Sequence, residues 1–277
     1  MIDPVVDISW LTAHRDGVVV ADVRWYLDGR SGRDAYAAGH LPGAVFVDVD
    51  AVLAGPPSPA AGRHPLPEPE AFATGLAALG IAADDVTVAY DDAGGVIAAR
   101  LVWLLRAIGR DASLLDGGIG AHTGPLERGV PLRAPVRRVA VPWPVDRLAD
   151  LSEIEALAAE DTRDVVLLDA REGARYRGEV EPVDPRAGHI PGAVSMPARE
   201  QLAPDGRLLG KDALRERFAA AGVRGDADVV ASCGSGVTAC HTLLMLEHAG
   251  LGPGRLYPGS WSQYCADAAR STATGSR

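Results

Sequence analysis

The chain of 277 residues predicts an α/β protein of two tandem modules, each an open parallel sheet with helices on both faces. Three observations carry this. Two runs recur in the same order: "GHLPGAVFVDVD" from Gly39 returns as "GHIPGAVSMPAR" from Gly188, and "VAYDDAGGVIAARLVWLLRAIG" from Val88 returns as "VASCGSGVTACHTLLMLEHAG" from Val230. The copies lie roughly 140 to 150 residues apart, one domain length. Within each half, short β-branched runs alternate with helical patterns, the order that builds a parallel sheet covered on both sides. Midway lies "APVRRVAVPWPVDRL", whose prolines mark a connector.

The elements follow in order. "GVVVADVR" and "DVTVAY" in the first half, with "DVVLLDAR" and "DADVVASC" in the second, are continuous apolar runs suited to buried parallel strands. "AARLVWLLRAIG", "KDALRERFAAAG" and "CHTLLMLEHAG" have helical spacing and end at a glycine suited to the left-handed position after a helix. The modules are expected at 1–138 and 151–277 with a linker over 139–150, and the final "ARSTATGSR" reads as a frayed tail.

The net charge of −10 argues against non-specific binding to nucleic acid or anionic membranes, although local arginines can still hold a small anion. No apolar run approaches the roughly 20 residues of a membrane span, and the N-terminus lacks the basic and apolar regions of a secretory signal. The three cysteines, Cys233, Cys240 and Cys265, do not suggest a disulfide framework. A cytoplasmic protein is expected. The cysteines and scattered histidines make no zinc signature, so neither a metal nor a cofactor is expected.

The chemistry concentrates in "SCGSGVTACH". Cys233 ends an apolar strand, at the sheet edge where ligands of open α/β folds bind. Gly234 and Gly236 let the backbone curl so that successive N–H groups face one centre, and the helix starting near Val237 adds its positive end. These favour an anion at the Cys233 sulfur, and the residue reads as a nucleophile. A duplication is its own control: features of both halves belong to the fold, features of one half to function. The matching first-half position is taken as Asp92, which has no thiol chemistry, so one active site per chain is expected. Cys240, opposite Ala99, reads as a packed core thiol. His40 and His189 occur in both halves and read as structural, as do Arg24 and Arg171. A phosphatase would need an arginine six residues after the cysteine, where this chain has Ala239.

The tandem modules, the repeated "GH[L/I]PGA" run and the single nucleophile loop together resemble the two-domain rhodanese sulfurtransferases. The resemblance spans "DVRWYLDGRSGRDAYAAGHLPGA" to "YPGSWSQY". "CGSGVTAC" is similar to the loop of 3-mercaptopyruvate sulfurtransferases, whereas thiosulfate enzymes carry basic residues where this chain has Gly234 and Ser235. The resemblance implies that sulfur moves from a small donor to Cys233 as a persulfide, and then to thioredoxin, a small thiol or cyanide. It pairs Ser235 with His64 and Asp50 of the first module in a proton relay, with Asp48 a rival for the acid. It also implies that Arg175 and Arg186 clamp the donor's carboxylate and carbonyl, beside Gly234, Gly236, Val237 and Thr238 of the loop.

Some of this is visible without the family. The span from Gly39 to Gly95 is about eight residues longer than its counterpart from Gly188 to Gly236, and the excess falls in "LAGPPSPAAGRHPLP", the loop that carries His64. Such a loop could reach across the domain interface. By counting, Arg175 matches Asp28, Arg186 matches Ala37 and Thr238 matches Ile97. Two other readings stay open: a thiosulfate-preferring enzyme of the same fold, and a non-enzymatic module in which Cys233 senses oxidants or docks a partner.

Overall fold

The computed structural model describes residues 1–131, 133–159, 165–225 and 227–276. Asp164 and Asp226, expected at the starts of two strands, and Arg277 of the tail lie outside these. The chain forms two compact units that are not contiguous in sequence. The first comprises Met1–Gly55, Leu66–Trp143 and Ala203–Leu208; the second comprises Pro56–Pro65, Pro144–Leu202 and Leu209–Arg277. The segment around His64 thus folds as part of the second unit.

The first unit is built on five parallel strands: β1 (Val5–Val6), β2 (Val18–Asp22), β3 (Val45–Phe46), β4 (Val86–Tyr90) and β5 (Ala112–Leu115), in the order β1-β5-β4-β2-β3. Consecutive residues of β2 and β4 are buried, as they must be in a sheet covered on both faces. Val20 and Val88 pair in the core beside Tyr36, Phe46 and Leu115. The helix Ala99–Ala107 ends at Gly109, whose φ of 74° is the left-handed cap read from the sequence. Trp143 closes this unit, its ring 5.2 Å from Phe72 and its Nε1 donating to the Pro67 carbonyl at 2.8 Å.

The second unit repeats the plan with four parallel strands: β6 (Val165–Asp169), β7 (Val194–Ser195), β8 (Asp228–Ser232) and β9 (Arg255–Leu256), ordered β7-β6-β8-β9. A single parallel bridge from Leu148 to Leu256 stands where β1 meets β5 in the first unit. The tail is not frayed. Ala273 and His189 exchange both backbone hydrogen bonds, and the Gly275 N–H reaches the Arg177 carbonyl. A polar composition concealed a segment held by backbone pairing.

The internal repeat extends to single contacts. Arg24 forks onto Asp22 and the Gly39 carbonyl, as Arg171 does onto Asp169 and the Gly188 carbonyl. His40 and His189 each stack on a tyrosine, Tyr36 and Tyr176. Each also donates from Nδ1 to that tyrosine's carbonyl, which can only accept. These residues are fold in both units.

One equivalence needs correcting. Tyr90 lies opposite Asp22, and Ser232 opposite Asp169, so the next residues, Asp91 and Cys233, correspond. The Asp91 carbonyl accepts from Ile119 N–H as the Cys233 carbonyl accepts from Trp261 N–H. Counting back from the helix gives Asp92, because the first unit's turn holds one residue more. Asp91 has no exposed surface and its carboxylate receives the N–H groups of Ala93, Gly95, Ile97 and Ala98 at 2.7 to 2.9 Å. Burial raises its pKa, and the four donors oppose that rise. Where the second unit's turn opens on Cys233, the first unit's turn holds an acid.

Candidate active site

The second unit presents Cys233 directly after β8, with the helix Thr238–His248 beginning beyond the turn. Cys233 is 2% exposed. Its Sγ accepts the Gly236 N–H at 3.1 Å, so the turn points at least one backbone donor at the sulfur. Gly236 has a φ of 80°, and a Cβ there would lie 2.5 Å from the Pro258 carbonyl oxygen; only glycine fits. Val237 is the residue before the helix and Thr238 its first, both at the positive end of the helix axis.

The segment Gly259–Ser262 braces the turn from behind. Trp261 and Ser262 donate their N–H groups to the carbonyls of Cys233 and Gly234, both at 2.9 Å. The Cys233 N–H donates to Ser260 Oγ at 3.1 Å. Ser260 holds that position with a φ of 50°, an uncommon conformation for a residue with a side chain. Ser262 Oγ accepts from the Arg63 N–H at 3.0 Å, tying the 56–65 segment to the same brace. These serines escaped the sequence reading. Their signal was available, since "GSWSQY" carries serines where the first-half "GGIGAH" has none.

His64 Nδ1 lies 2.7 Å from Ser235 Oγ, and both residues are 8% exposed. The histidine and serine expected to work together are brought together, and the extended loop is what delivers the histidine. Asp50 belongs to the first unit, where its carboxylate accepts from Trp25 Nε1 at 3.0 Å. Its rival Asp48 caps the helix Val49–Val52, accepting the N–H groups of Asp50 and Ala51. Capping commits that carboxylate to the helix start.

Arg175 stands by the turn. Its Nη2 pairs with Glu181 at 2.6 Å and Asp184 at 3.2 Å, both almost fully buried. Arg63, next to His64 but absent from the sequence reading, pairs with Asp184 through Nη1. Burial raises the Asp184 carboxyl, while Arg63 and Arg175 pull it down. Arg186 is engaged elsewhere. Its guanidinium donates to the carbonyls of Asp267 and Arg270 and to Thr272 Oγ1, tethering the C-terminal segment.

Cys240 is fully buried, and its thiol donates to the Gly236 carbonyl at 3.3 Å. Burial pushes the Cys265 thiol up to about 11. All three cysteines are free. Among the described residues, no cluster of three or more His, Cys, Asp or Glu could hold a metal ion, and no helix is long and apolar enough to cross a membrane.

The rhodanese-like domain matches twice, over residues 7–123 and 152–267. The chain is 42% identical over 267 residues to the "Probable 3-mercaptopyruvate sulfurtransferase" of Pseudomonas aeruginosa, covering 93% of each chain. It is 38% identical over 266 residues to the "Putative thiosulfate sulfurtransferase SseB" of Mycobacterium tuberculosis, covering 94% of this chain and 92% of that one. The crystal structure of SseA from Escherichia coli, described as a 3-mercaptopyruvate sulfotransferase, superposes with a TM-score of 0.82 at 32% identity, over 94% of this chain and 99% of that one. With two rhodanese-like domains and relatives matched along nearly its whole length, the chain belongs to the two-domain rhodanese-family sulfurtransferases.

Proposed function

We propose that this chain transfers sulfur from 3-mercaptopyruvate through a Cys233 persulfide to a thiol acceptor, releasing pyruvate. The observation that carries the reading is the 2.7 Å contact of His64 Nδ1 with Ser235 Oγ, two residues along the turn from the nucleophile. A thiosulfate donor brings no proton to be moved. A mercaptan does, and its leaving enolate must gain one, so a serine–histidine pair has a task only with the second kind of donor.

The Cys233 thiolate attacks the donor's sulfur. The S–S bond forms as the donor's C–S bond breaks, and the proton of the donor's thiol ends on the methyl carbon of pyruvate. Ser235 and His64 carry that proton, and the family resemblance gives Asp50 the third place in the relay. The outer persulfide sulfur then passes to the acceptor, restoring the thiolate. Thiolate and persulfide are both anions, so one turn of backbone donors serves both states. The Asp91 turn of the first unit supports this use of the scaffold: there it gathers four N–H groups on one acidic side chain.

Gly234, Gly236, Val237 and Thr238 line the donor's site in this reading, with Arg175 on its carboxylate. The tether made by Arg186 supports a structural part for that residue. The acceptor is a small thiol or thioredoxin, and three free cysteines suit a reducing cytoplasm. Pyruvate release from 3-mercaptopyruvate in the presence of a small thiol tests the reading. Turnover by the wild type and none by Cys233→Ser supports it; no turnover by either removes it.

A further inference from the structure

Ser262 bonds in two directions at once. Its backbone N–H donates to the Gly234 carbonyl at 2.9 Å and so braces the Cys233 turn. Its hydroxyl accepts the Arg63 N–H at 3.0 Å and donates to the Gly259 carbonyl at 3.1 Å. The one hydroxyl proton is thereby spent on Gly259, which leaves the oxygen's lone pairs for Arg63. The residue is 8% exposed, so water has little part in these bonds.

The loop that Ser262 meets belongs to no helix or strand, yet it is closed on itself. Ser58 and Gly62 exchange both backbone hydrogen bonds, at 3.1 and 2.8 Å, so residues 58–62 form a single turn. That turn is held to the short helix Ser260–Tyr264 and the glycine before it at three points. Gln263 Nε2 donates to the Ala60 carbonyl. Gly62 lies flat on Gly259: a Cβ on Gly62 would stand 2.6 Å from the Gly259 carbonyl oxygen, and its φ of 88° is left-handed. The third point is Arg63 on Ser262, and the next residue is His64, with Nδ1 2.7 Å from Ser235 Oγ. A planar peptide pinned at Arg63 leaves only a few torsions before the imidazole, and Pro65 narrows those of His64 further.

We infer that Ser262 and Gln263 are positioning residues for His64: they dock the 58–63 turn so that the imidazole meets Ser235. The inference rests on the proton relay proposed above. Ser262 sets both partners in one frame, since its backbone holds the Cys233 turn and its side chain holds the histidine's loop. The two tasks can be separated. Alanine at 262 cuts the tie to the loop and keeps the N–H on Gly234.

The test uses the full chain with Ser262→Ala and Gln263→Glu, the second keeping the side-chain length while setting an acceptor against the Ala60 carbonyl. Each should lower kcat for 3-mercaptopyruvate about tenfold with KM within about twofold, and change thiosulfate turnover less than about twofold. In a Ser235→Ala background, Ser262→Ala should cost less than about twofold more, because the partner of His64 is already gone. Equal losses on both donors, or a full tenfold loss added to that of Ser235→Ala, would overturn the inference. Hydrogen exchange reads the docking without turnover. Ser262→Ala should speed exchange of the Arg63 amide at least about tenfold while the urea midpoint stays near that of the wild type. Unchanged exchange would overturn the inference. Faster exchange in a chain that turns over no mercaptopyruvate would keep the docking and remove only the relay it serves.

Discussion

His64 Nδ1 and Ser235 Oγ meet at 2.7 Å although 171 residues separate them in the chain. The contact lies wholly within the second compact unit, because Pro56–Pro65 folds with it. A hydroxyl so placed can pass a proton on to imidazole, or take one from it. The consequence is a split between donors. Ser235→Ala should lower kcat for 3-mercaptopyruvate about 100-fold, the ordinary scale of one proton-transfer group, and thiosulfate turnover less than about threefold. Steady-state kinetics with both donors checks this, and equal losses would remove the relay.

The glycines of the turn should fail in different ways. Gly236→Ala demands a φ of 80° and meets the Pro258 carbonyl, so it should destabilise the protein by about 2 kcal/mol or more. Gly234→Ala meets side-chain tips and no backbone, with Arg63 Nη2 at 2.9 Å and Arg175 Nη1 at 3.6 Å from the new Cβ. Its unfolding midpoint in urea should stay near that of the wild type while KM for mercaptopyruvate rises. Matching losses of stability would contradict the assignment of the two roles.

The correspondence of Asp91 with Cys233 can be tested through stability. Asp91→Asn keeps one acceptor oxygen and turns an NH2 group toward backbone N–H groups, leaving donors buried and unmet. A loss of about 3 kcal/mol is expected. Asp92, an exposed neighbour whose carboxylate accepts from the Tyr26 hydroxyl, should tolerate asparagine to within about 0.5 kcal/mol. Denaturant titration of the two variants decides which acid holds the turn.

His241 gives a pH signature. It is fully buried on the helix after the Cys233 turn, and neither ring nitrogen has a hydrogen-bond partner among the described residues. Burial lowers its pKa to about 3. The folded pKa is below the unfolded one, so the unfolded chain takes up the proton first as pH falls. Stability is therefore whole above roughly pH 6.5 and lost below it, at up to about 1.4 kcal/mol per pH unit. Between pH 7.5 and 5, the wild type should lose about 2 kcal/mol more than His241→Leu, measured by urea denaturation at each pH.

Much of this was legible in the chain. The duplication set out both sheets, since the runs at Val18 and Val86, and those at Val165 and Asp228, became the paired strands β2–β4 and β6–β8. Cys233 and its turn were readable because strand end, glycines and helix start are local features. The exchange of Asp91 for Asp92 was not, because two adjacent acids look alike until strand pairing fixes which follows β4. Arg63 and Asp184 were missed for a related reason. Loop residues carry no periodicity, and their meeting depends on a fold-level contact that spacing does not encode. The tail misled through composition, as its anchors are backbone groups and the side chain of Arg186.

The central claim is a sulfur atom carried on Cys233. Intact-mass spectrometry after brief exposure to 3-mercaptopyruvate, or separately to thiosulfate, tests it most directly with Cys233→Ser alongside. The account predicts that the wild type gains the mass of one sulfur atom, faster from mercaptopyruvate, loses it on addition of a small thiol, and that the variant gains none. No gain from either donor would contradict it and leave a module that senses oxidants or docks a partner through Cys233.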